Sequence, residues 1–175
     1  MLTLHCTKTL ITSIGLKSLL PPPELIDESL LGGWYANLFS TGRDDALIFV
    51  NEKTHFNFIV TKIRRAHIDA IGQILINGIK YALEQEKFSQ PEIASALTGY
   101  DAILLAKTVN KGTLASMSSL SNLYQRRIEH TGGIGSADIK EIVIDVNSRP
   151  DSSLNGDSPI ERLRELVNEK KPDLS

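Results

Sequence analysis

Cysteine is nearly absent: Cys6 is the single one in 175 residues. No disulfide can close within the chain, and a metal cluster built on thiolates is excluded. In Leu2-Thr3-Leu4-His5-Cys6 the alternation puts Cys6 on the side of Leu2 and Leu4. There it reads as a small buried apolar residue rather than a reactive thiol. Aromatic residues amount to 6%, too few for a base-stacking groove, so Trp34 and Tyr35 are expected in the core and on the sheet surface. Strong net charge is missing as well. A balance of −2 argues against a dedicated duplex-binding domain, although 19 Lys and Arg leave room for a local basic patch. Neither a signal-peptide pattern nor an apolar run approaching the ~20 residues of a bilayer span is found, which predicts a cytoplasmic protein without a membrane partner.

Missing motifs narrow the chemistry further. No Gly-rich phosphate loop precedes a Lys-Ser or Lys-Thr pair, and Gly132-Gly133-Ile134-Gly135 reads as a helix stop and turn because no strand leads into it. His5, His55, His67 and His130 lack zinc-site spacing, and no Gly-x-Ser-x-Gly elbow occurs. Neither a metal nor a cofactor is expected, and no reaction is identified.

What is present reads as an ordinary globular chain, 41% apolar and 23% charged, of a length that suits one domain over 1–175. Pro21-Pro22-Pro23 marks 17–31 as a surface connection, and 169–175 is a charged tail. A short strand at 2–6 and a helix from Lys8 come first. Three runs rich in aromatic and β-branched residues follow, Trp34 to Ser40, Ala46 to Val50 and His55 to Val60, separated by two short turns. They form a three-stranded antiparallel meander. The longest helix is expected over 66–87, where Ile68, Ile71, Leu75, Ile79 and Leu83 recur in steps of three and four. A short helix begins near Pro91, and Ala102 to Ala106 supplies another strand. A helix capped by Thr113 runs to His130, and a last amphipathic helix opens at Pro159. Residues 139–146 fit either a helix or a strand. The expected fold class is α+β: a mainly antiparallel sheet of four to five strands with a central meander, and helices packed on one face.

Two stretches carry candidate binding chemistry. The first is Lys62-Ile63-Arg64-Arg65-Ala66-His67, a cationic cluster at a helix start, where cations call for a compensating anion. The second is Lys107-Thr108-Val109-Asn110-Lys111-Gly112-Thr113, between a strand and a helix. Its lysines, amide, hydroxyl and glycine resemble an anion cradle, and equally a polar capped loop. Arg64, Arg65, His67, Lys107, Asn110, Lys111 and Thr113 are therefore the expected anion ligands. Arg43 and Asn51, in the meander turns, are secondary candidates.

Five phrases together resemble a family of uncharacterised bacterial domains. They are Leu4-His5-Cys6-Thr7-Lys8, Leu31-Gly32-Gly33-Trp34-Tyr35-Ala36-Asn37-Leu38-Phe39, Leu47-Ile48-Phe49-Val50-Asn51-Glu52-Lys53-Thr54, Ala106-Lys107-Thr108-Val109-Asn110-Lys111 with Met117, and Asn147-Ser148-Arg149-Pro150. The resemblance spans nearly the whole chain and implies a bacterial or mobile-element origin and a single domain. It carries no assigned activity, so it implies no catalytic residue. Relatives more often read Asn-Arg-Thr-Pro in the last phrase, and no role passes to Arg149.

Two functions are consistent with these residues. One is a non-catalytic interaction module that binds a protein partner or a nucleic-acid or phosphate group through the two cationic loops. The other is a small metal-independent enzyme acting on a phosphate-containing substrate, a nuclease or nucleotidyl transferase, with His67 as proton carrier. Whether the chain is a homodimer is open at this level.

Overall fold

The computed structural model describes residues 1–17, 19, 29–64 and 70–169. Among these residues five strands and six α-helices alternate unevenly: β1 (Leu2–Cys6), α1 (Lys8–Ser13), β2 (Trp34–Ser40), β3 (Asp45–Asn51), β4 (Asn57–Ile63), α2 (Ile71–Gln85), α3 (Gln90–Ala96), β5 (Ile103–Lys107), α4 (Lys111–His130), α5 (Ile139–Asn147) and α6 (Pro159–Glu169). The α+β class and the meander are as expected. The strand order β4-β3-β2-β1-β5 puts the meander at one side of the sheet rather than at its centre. β1 pairs parallel with both β2 and β5, so the sheet is mixed. Helical crossovers force that outcome, because α1 separates β1 from β2, and α2 and α3 separate β4 from β5.

Adjacent residues of β2 point to opposite sides, so Trp34 and Tyr35 name the two faces. On the Trp34 face, Leu4, Ala36, Phe49 and Phe58 pack against Leu10 of α1, Leu75 and Ile79 of α2, Ile93 of α3 and Leu163 of α6. α2 sits so close that a Cβ on Gly78 would stand 2.2 Å from the Phe58 ring. On the Tyr35 face, Ile48, Val50 and Ile59 pack against Met117 and Tyr124 of α4 and Ile142 and Val146 of α5. Helices therefore cover both faces, not one. The physical sign was the unbroken apolar run Ala46-Leu47-Ile48-Phe49-Val50 of β3, buried throughout, because a strand covered on both sides has no polar face to alternate with.

Residues 139–147 are helical. Asp138 caps α5 by accepting the Glu141 N–H, and Ile142 and Val146 fall one turn apart on its buried side. The expected helix over 66–87 is α2, and its first turn as anticipated lies outside the described residues. So does most of the proline-rich stretch. Its described end departs from a surface connection: Ser29, Leu30 and Leu31 are buried. Among the described residues no helix is long and apolar enough to cross a membrane.

Candidate functional site at the ends of the parallel strands

β1 and β5 run side by side with Cys6 level with Lys107. α1, which follows β1, leaves toward the Trp34 face, and α4, which follows β5, leaves toward the Tyr35 face. Neighbouring parallel strands whose helices depart to opposite faces leave a crevice outside their carboxyl ends, where open sheets of this kind place ligands. Thr7 and Lys8 follow β1 at this end, Asn37 belongs to β2, and Lys107 to Lys111 lead from β5 into α4. The Thr7 hydroxyl donates to Asn37 Oδ1 at 2.6 Å and caps α1 by accepting the Leu10 N–H at 3.3 Å.

Four of the expected ligands meet here. Asn110, rather than Thr113, caps α4: its backbone is extended, and its Oδ1 accepts the Thr113 N–H at 3.0 Å. Thr113 is buried inside the first turn. The Lys111 and Gly112 N–H groups precede any carbonyl that α4 could offer them, and the turn contains no acidic residue. A 20-residue helix thus opens with its partial positive charge uncompensated, beside the exposed Lys107 and Lys111.

Beneath this turn, Tyr35, which composition alone had assigned to packing, stacks with a histidine. The His5 and Tyr35 rings lie 4.4 Å apart and 14° from parallel. His5 is 6% exposed and Tyr35 is fully buried, yet His5 Nδ1 and the Tyr35 hydroxyl have no hydrogen-bond partner. Burial pushes the Tyr35 hydroxyl up to about 12, with the Glu52 carboxylate adding to the shift and the Asn110 backbone opposing it. Burial likewise holds the His5 imidazole below its ordinary value, against the opposite pull of Glu52 and the Lys107 backbone. The backbones of Lys107 and Asn110 thus bear on the ionisation of His5 and Tyr35. Glu52 and His5 converge over Gly33, where a Cβ would stand 3.1 Å from Glu52 Oε2 and 3.2 Å from His5 Nε2.

The remaining candidates are elsewhere. Arg43 is exposed in the β2–β3 turn. Asn51 is fully buried and builds the hairpin: its amide donates to the Leu31 carbonyl at 2.8 Å, and its Oδ1 accepts the Lys53 and Thr54 N–H groups. Arg64 is exposed just past β4. Arg65 and His67 lie outside the described residues. β4 and β5 are the two lateral edges, four strand steps apart, or roughly 19 Å along the sheet at ~4.8 Å per step. Arg64 and Lys107 consequently do not share one cradle. Cys6 is fully buried, and burial pushes its thiol up to about 12, which leaves it an inert core residue.

The groups gathered at this strand end are of the kind that suit an oxyanion. The crevice offers free backbone N–H groups, two ammonium groups and a buried hydroxyl donor, and it presents no acid–base pair in hydrogen-bond contact. Residues 3–162 match the family model DUF6933, described as a domain of unknown function, and the chain belongs to that family. No curated protein matches it.

Proposed function

We propose that this member of the DUF6933 family is a binding module that seats an oxyanion, a phosphate or carboxylate carried by a partner molecule, where β5 passes into α4. The observation behind this reading is the Tyr35 hydroxyl, fully buried under the first turn of α4 without a partner. An unsatisfied buried polar group costs about 1–3 kcal/mol, a cost that an arriving ligand oxygen would remove. The same oxygen would accept from the Lys111 and Gly112 N–H groups and lie between the Lys107 and Lys111 ammonium groups. Of the two cationic loops anticipated from sequence, the reading keeps the second and drops Arg64, which stands at the far edge of the sheet.

The experiment is an amide chemical-shift titration with inorganic phosphate, acetate and a short single-stranded oligonucleotide. The Asn110, Lys111 and Gly112 resonances are expected to move with at least one of them. Lys107→Ala with Lys111→Ala should weaken that binding about tenfold or more, as losing charge-assisted hydrogen bonds predicts. Resonances that stay still with all three probes, or binding indifferent to both lysines, would sink the proposal.

A further inference from the structure

A concavity lies on the Tyr35 side of the sheet, along α4. It has a volume of about 510 Å³, within the range of small-molecule sites. One wall is α4, with Ser116, Ser119, Leu120 and Leu123. The other is built from the β3–β4 hairpin at His55 and the segment from Val146 to Ser152, closed below by Pro159. The cleft is preformed by an unusual tie. His55 occupies the left-handed region at φ +57°, a conformation that favours glycine. Its Nδ1 lies 3.0 Å from Asp151 Oδ2 and 3.2 Å from the Ser153 hydroxyl, which fastens the hairpin to the far wall. Serine, histidine and aspartate meet here, but the acid and the hydroxyl share one ring nitrogen. A nucleophile needs them on opposite nitrogens, so the cluster braces the wall and activates nothing.

The chemistry of the lining selects a ligand class. Ala115, Leu120, Leu123, Val146, Pro150 and Pro159 make about half of the surface apolar, and no Phe, Tyr or Trp ring is present among the lining residues to stack a sugar or a base. The charged groups at the rim are unequally engaged. Asp151 is engaged by His55 and Ser153, and although burial works to raise it, those hydrogen bonds hold its carboxyl below the usual range. Asp145 is shared by two guanidinium groups, Arg127 at 2.6 Å and Arg149 at 2.9 Å. One carboxylate divided between two guanidinium groups leaves donors of Arg149 unused, and that side chain lines the cleft and is half exposed.

We infer that this cleft binds a small molecule with a single carboxylate on an apolar body, the carboxylate on Arg149 and the serine hydroxyls of α4, the body against Leu120, Leu123 and Val146. This inference stands independently of the oxyanion crevice.

The test is calorimetric titration of the full chain with octanoate, and with octanol as its uncharged match. Octanoate is expected to bind at least tenfold more tightly than octanol. Arg149→Gln should remove most of that preference, a loss of roughly 10–100-fold for a charge-assisted contact. Ser119→Phe should fill the cleft and abolish octanoate binding, whereas Lys107→Ala with Lys111→Ala should leave it unchanged. Circular dichroism of each variant would confirm folding. Equal binding of octanol and octanoate, no octanoate binding at millimolar concentration, or binding untouched by both Arg149→Gln and Ser119→Phe would each overturn the inference.

Discussion

The two faces of the sheet are made from alternate residues of the same strands and differ in how they treat polar groups. On the Trp34 face the ring of Trp34 is fully buried, and its Nε1 donates to the Tyr100 hydroxyl at 3.0 Å. That hydroxyl in turn donates to the Gly32 carbonyl at 2.7 Å, which completes the chain. On the Tyr35 face polar side chains are set into the core itself. Asn147 clamps the backbone of Asn57 from both sides: its Oδ1 accepts the Asn57 N–H at 2.9 Å, and its amide donates to the Asn57 carbonyl at 2.7 Å. Tyr124 donates to the Asn57 side chain at 2.7 Å. Only a few strand steps away, the Tyr35 hydroxyl and His5 Nδ1 have nothing. One face thus satisfies one buried tyrosine hydroxyl and leaves another unsatisfied, a difference that packing alone does not account for. The Trp34 face carries hydrophobic stability, and both candidate binding sites lie on the other.

The largest expected effects compare the two faces directly. Trp34→Ala should cost about 3–5 kcal/mol, the usual loss for a fully buried large ring. Asn147→Ala removes few apolar contacts, but it strands the N–H and the carbonyl of Asn57 in the interior. At ~1–3 kcal/mol for each of the two stranded groups, it should cost about 2–6 kcal/mol. Urea denaturation of both variants measures this. A cost below ~1 kcal/mol for Asn147→Ala would mean that water reaches Asn57 and that the Tyr35 face is not held by its amide clamp.

A sharper contrast needs two hydroxyls of the same chemistry. Tyr124→Phe deletes the donor that Asn57 Oδ1 accepts from, and should destabilise the fold by about 1–2 kcal/mol. Tyr35→Phe deletes a hydroxyl with no partner. It should be neutral or stabilise by up to about 1 kcal/mol, while weakening phosphate binding at the crevice. Equal losses from the two variants would show that the Tyr35 hydroxyl already has a structural partner, and the proposed role would go with it.

How much of this was legible in the chain follows from the range of the interactions. The meander is local, with turns between strands of alternating or continuous apolar residues, and its three strands stand close to where the residue pattern put them. The burial of Asn147 was not legible, because the group it satisfies, Asn57, is 90 residues away. The crevice was half legible. Lysines, amide and glycine between a strand and a helix marked the loop from Lys107 to Thr113. The stacking of His5 on Tyr35 depends on the parallel pairing of β1 with β2, a contact across a crossover that no local pattern encodes. The same register explains why the two cationic loops are separate: only the strand order sends β4 and β5 to opposite edges.

The smallest effect is the pH dependence of stability, and it links the crevice to the fold. Burial holds the His5 pKa below that of the unfolded chain, Glu52 and the Lys107 backbone offsetting only part of the shift. Above the unfolded value of about 6.5 the imidazole is neutral in both states and contributes nothing. As pH falls through that value, the unfolded chain takes up a proton that the folded protein refuses, so stability declines until the folded group is protonated as well. His5→Phe keeps a ring on Tyr35 and cannot titrate. The difference between wild type and this variant, followed by urea denaturation from about pH 7 to pH 5, should therefore show wild type losing stability as the solution is acidified. A gain on acidification would mean that Glu52 outweighs burial at this position. Saturating phosphate should flatten the decline, because an oxyanion at the opening of α4 favours the imidazolium and lifts the folded pKa back toward its unfolded value. A decline that phosphate leaves unaltered would place the anion, wherever it binds, away from His5.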